Sequence, residues 1–89
     1  MNILEEALDI TLGVKEEDYG DPYDDYLKVA KLWSVVLGCK VNPAQAALCM
    51  LMIKVSREIH CPKRDNRVDM AGYASVIDRI CERMEQEEV

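Results

Sequence analysis

The sequence predicts an all-α protein, a small four-helix bundle completed by oligomerisation. Three observations carry that expectation. Apolar residues recur at helical spacing, and no segment alternates with the period of a strand. Two Asx-Pro pairs, Asp21-Pro22 and Asn42-Pro43, each offer an N-cap followed by proline at the first helical position. The chain has only 89 residues, so its core buries about 60–65% of the unfolded surface and needs support from elsewhere.

The first helix is expected over residues 1–13. Asn2 caps it, Ile3, Leu4, Ala7, Leu8 and Ile10 supply its apolar positions, and Gly13 stops it. The acidic stretch 14–20 reads as a loop. The second helix, 21–38, opens at Asp21-Pro22, with Asp24 and Asp25 placed to complement the helix dipole. Leu27, Val29, Ala30, Trp33, Val36 and Leu37 form its inward face, and Gly38 ends it.

A third, central helix is expected over 42–61, opened by a capping box of Asn42 and Gln45. Residues 46–53 are apolar on every side, and such a helix must be covered on every side. It therefore lies in the bundle centre, against another subunit, or both. Cys61-Pro62 breaks it. The fourth helix, 65–86, is capped by Asp65 and turns Met70, Tyr73, Ala74, Ile77, Ile80, Cys81 and Met84 inward. Gly72 within it costs about 1 kcal/mol relative to Ala, which points to a close neighbour there. The whole chain reads as a single helical domain.

The net charge is −6, unevenly spread. Residues 1–26 hold nine acidic groups and one basic group, whereas residues 54–67 hold five basic groups and two acidic ones. This pattern argues against general nucleic-acid binding, which requires a broad positive surface, but leaves room for a local anion site. The longest apolar run, 46–53, is too short to span a membrane. The N-terminus lacks the basic and apolar regions of a signal peptide. Cys39, Cys49, Cys61 and Cys81 show neither zinc nor redox spacing and read as reduced, mostly buried thiols of a cytoplasmic protein.

The candidate ligand site is the charged connection between the third and fourth helices. Lys54 and Arg57, three apart, share a helix face, and Arg64 and Arg67 follow the Pro62 break. Arg and Lys bind phosphate through charge-assisted hydrogen bonds, so a small phosphate-bearing nucleotide is the expected ligand. Tyr19 and Tyr23, beside the Gly-Asp-Pro turn, are placed to stack on a base or simply to pack against the helix start. Lys54 is either a phosphate contact or a lysine stem at the core edge. Asp69 either anchors one of these cations or holds a metal. Clustered charges at a turn also form ordinary surface ion pairs. His60 can serve as a general base near neutral pH. A Cys61–His60 nucleophile pair is disfavoured because adjacent helical side chains diverge. A zinc site of Cys39, His60 and Cys61 matches no recognised spacing.

Tyr19-Gly20-Asp21-Pro22, Ala30-x-Leu32-Trp33, Lys54-x-x-Arg57 and Asp65-x-x-x-Asp69-x-Ala71-Gly72-Tyr73 together resemble a family of small phage and prophage proteins without assigned function. That family is in turn loosely similar to the MazG-like all-α nucleoside triphosphate pyrophosphohydrolases. The resemblance covers residues 19–80. It implies a MazG-like bundle in the host cytoplasm and, in a phage setting, sequestration of a host signalling nucleotide as an anti-defence device. The MazG-like enzymes hold magnesium with a Glu-x-x-Glu pair on one helix and a Glu-x-x-Asp pair on the next. Here only Glu58, Asp65 and Asp69 are available for Mg2+. Binding without cleavage, and without a required cofactor, is accordingly the leading expectation. A Mg2+-dependent nucleotide pyrophosphohydrolase is the alternative, and a helical adaptor that docks on a host protein is the second alternative.

Overall fold

The computed structural model describes residues 1–12 and 21–87, which form four helices and no strand. They are α1 (Ile3–Leu12), α2 (Pro22–Leu37), α3 (Pro43–His60) and α4 (Arg64–Glu87). The expected helix stop at Gly13 lies outside the described residues.

The starts form as the residue chemistry dictates. Asn2 Oδ1 accepts from the Glu5 backbone N–H at 2.8 Å and caps α1. Asp21 caps α2 by accepting from the Tyr23 N–H at 2.8 Å. At α3 the reciprocal box is complete: the Gln45 N–H donates to Asn42 Oδ1 at 2.8 Å and the Asn42 N–H to Gln45 Oε1 at 3.0 Å. The end of α2 is equally explicit. Gly38 adopts a left-handed conformation (φ 68°) and its N–H returns to the Ser34 carbonyl. Ser34 Oγ then accepts from the Val41 N–H at 3.0 Å, tying the connection back onto the helix.

Two starting expectations need correction. α4 begins at Arg64, so Asp65 stands in its first turn and is not its cap. Instead, the Asn66 N–H bonds the Lys63 carbonyl, while the Lys63 N–H donates to Glu58 Oε1. The second correction concerns the hub of the bundle. α4 packs against each of the other three helices, whereas α3 meets only α2 and α4 and α1 meets only α4. α4 is therefore the hub, and α3, the more apolar of the two in sequence, packs on α4 and α2 with one face left open.

The buried side chains are small: Ala7, Ala30, Ala46, Ala47, Val68 and Ile80 form the core, and Gly72 is buried with them. Small residues let helices approach closely but leave large neighbours uncovered. Leu4 and Leu8 of α1, Val36 and Leu37 of α2, and Ala74 of α4 were expected inside and are exposed. Trp33 and Tyr73 are only half-buried. The cysteines depart from expectation in the same way: Cys39, Cys49 and Cys61 are exposed and Cys81 is half-buried. No helix among the described residues is long and apolar enough to cross a membrane.

Candidate functional site

The charged connection folds around Glu58. Its carboxylate accepts from the Lys63 backbone N–H at 2.8 Å, from Asn66 Nδ2 and from the Arg67 guanidinium. These donors, the Lys63 N–H first and Arg67 second, hold the carboxyl below its ordinary pKa against the opposing effect of desolvation. Glu58 thus joins the end of α3 to the start of α4 across the Pro62 break.

Three of the four expected phosphate contacts are engaged by carboxylates. Lys54 Nζ lies 3.0 Å from Asp69 Oδ2, with both side chains partly buried. Arg67 pairs with Glu58. Arg64 reaches α1, where it pairs with Glu6 and donates to the Met1 carbonyl at 3.1 Å. Arg57 alone of the four makes no ion pair among the described residues. It lines an open groove of about 420 Å3 together with Ser56, His60, Cys61, Lys63 and Asn66. Sequence reasoning overlooked Ser56, Lys63 and Asn66. The signal for Lys63 was its place directly after Pro62, at the mouth of the turn.

The tyrosines lie elsewhere. Tyr23, at the start of α2, carries the Arg83 guanidinium 4.8 Å from its ring centroid, and Arg83 also bonds Asp21 Oδ2 at 3.2 Å. Arg83 is fourteen residues along α4 from Asp69, about 21 Å at 1.5 Å per residue. Tyr23 therefore does not join the groove within one chain. Tyr19 lies outside the described residues. Tyr73 sits beside Tyr26, and burial first, then Tyr73, raises the Tyr26 hydroxyl pKa above its ordinary range.

Glu58, Asp65 and Asp69 do not converge: no three or more His, Cys, Asp or Glu side chains among the described residues are grouped to hold a metal ion. Glu58 and Asp69 are instead bound to cations of the chain itself. Cys39 and His60 lie near opposite ends of α3, whose 18 residues span about 27 Å, which separates the candidate zinc ligands.

Fold and groove define a class: a small all-α protein with an open, cation-lined groove at a helix–turn–helix junction. Residues 2–81 match DUF6378, a domain of unknown function, and the chain belongs to that family. It is 33% identical over 82 residues to the Gene 55 protein of Mycobacterium phage L5, covering 90% of this chain and 53% of that protein. The Gene 55 protein of Mycobacterium phage D29 is 34% identical over 82 residues, covering 91% and 54% respectively. The chain thus spans about half the length of these phage relatives. No solved structure matches it.

Proposed function

We propose that the protein binds a small phosphate-bearing nucleotide at the Arg57–His60–Lys63 groove and releases it intact, in a phage setting a means of sequestering a host signalling nucleotide. One observation carries this reading. The other cations of the cluster are neutralised by Glu6, Glu58 and Asp69, whereas Arg57, His60 and Lys63 line one groove and their side chains make no ion pair among the described residues. An Arg fork matches phosphate bidentately, and Ser56 adds a neutral donor to the same wall. The volume falls within the range of small-ligand sites. The reading includes an oligomeric bundle, since one chain leaves both the groove and several large apolar side chains open.

The likeness to MazG-like pyrophosphohydrolases supports the hydrolase alternative less well. That chemistry needs carboxylates free to meet Mg2+, and Glu58 and Asp69 are each bound to a cation. Incubation with a nucleotide panel, with and without Mg2+, followed by chromatography of bound and free species, tests both readings. The expected result is a bound nucleotide recovered unchanged. A Mg2+-dependent product that disappears in Asp69→Asn would replace the binder with the enzyme. Retention of no nucleotide would remove both.

A further inference from the structure

α3 combines two properties that conflict in an isolated chain. Residues 43–53 carry no charged side chain, yet α2 and α4 leave one face of the helix uncovered. Leu48, Met52 and Ile59 are exposed by 47%, 54% and 80%. With half-buried Val55 they follow one another at intervals of four, three and four residues, the spacing of a helix–helix seam. Cys49, also exposed, flanks the seam. The exposed patch of α2, Leu32, Val35, Val36 and Leu37, is shorter along its helix and shares its face with Lys28 and Lys31.

The surface area agrees with a missing partner. The chain exposes 6089 Å2 at a mass of 10.1 kDa, against about 5,300 Å2 for a compact monomer of that mass. The excess, roughly 800 Å2 over the whole chain and not over α3 alone, is comparable with what one partner contributes to an interface of standard size.

We infer that this face of α3 pairs antiparallel with the same face of a second copy. A twofold axis makes the face its own complement and closes the assembly at two chains. Leu48 then packs on the partner's Ile59 and Met52 on the partner's Val55, each layer repeated by symmetry. The seam requires no ligand.

Light scattering in the absence of nucleotide tests the seam. The wild type is expected at about 20 kDa at micromolar concentration, twice the chain mass, as a closed twofold pair requires. Leu48→Glu and Ile59→Lys are each expected at the monomer mass with helical circular dichroism unchanged, because both side chains are solvent-exposed in the chain. Mixing the two variants restores the dimer. One layer then holds the introduced carboxylate against the introduced ammonium, and the other keeps its original Leu48–Ile59 contact. A wild type at the monomer mass overturns the inference even if a variant fails to fold. So does a variant that remains dimeric, or a mixture that stays monomeric. The mass is read without nucleotide, so a protein that dimerises but binds no nucleotide refutes the functional reading alone.

Discussion

Arg57 and Lys63 differ from Lys54, Arg64 and Arg67 in what faces them, and that difference sets their expected roles. A charge-assisted contact to phosphate is worth about 1.5–3 kcal/mol, or roughly ten- to hundredfold in Kd. Titration calorimetry should show Arg57→Ala and Lys63→Ala weakening nucleotide binding by that factor. Lys54→Ala and Arg64→Ala should change affinity less than threefold, because their ammonium and guanidinium groups are already bound to Asp69 and Glu6. Glu58 acts on stability instead. Its folded pKa lies below the ordinary 4.5, so its contribution is present above the unfolded value and is lost as pH falls through the folded one. Urea midpoints should therefore separate wild type from Glu58→Gln at pH 7, and the gap should shrink below about pH 4.5 as the carboxyl protonates.

The helix boundaries follow from local chemistry, and each carries a measurable cost. Asn42→Ala removes one half of the α3 capping box, with an expected loss of about 1 kcal/mol in chemical denaturation. Gly38→Ala places a Cβ at φ 68°, where no atom obstructs it within 4 Å. Any loss there is backbone strain alone, on the order of 1 kcal/mol. These starts and stops were legible because Asx, Pro and Gly act on the residues next to them. Burial was less legible. The pattern of α2 points Val36 and Leu37 inward as readily as Ala30, yet only Ala30 is buried, because burial depends on which helices arrive on each side. The same limit explains the site. Arg57 and Lys54 look alike three residues apart, and only Asp69, brought alongside by the packing of α4, distinguishes them. Arg64 is neutralised by Glu6, 58 residues away in sequence.

At the scale of the whole molecule, the four cysteines report packing, assembly and ligand binding at once. A chain with no disulfide and a core of alanines, one valine and one isoleucine leaves thiols near its surface, and each occupies a different environment. Cys39 lies in the connection after α2, Cys49 on the outward face of α3, Cys61 in the groove, and Cys81 half-buried on α4. Alkylation by iodoacetamide, resolved by peptide mass spectrometry, should rank Cys39 and Cys61 fast and Cys81 slow at any protein concentration. Cys49 should change with concentration: fast in dilute protein, slowed several-fold where the α3 seam forms, and fast throughout in Leu48→Glu. Saturating nucleotide should slow Cys61 and leave Cys39 untouched, since only Cys61 borders the groove. Concentration-independent labelling of Cys49 would separate α3 from any interface. Equal labelling of Cys61 with and without nucleotide would place the ligand away from Arg57.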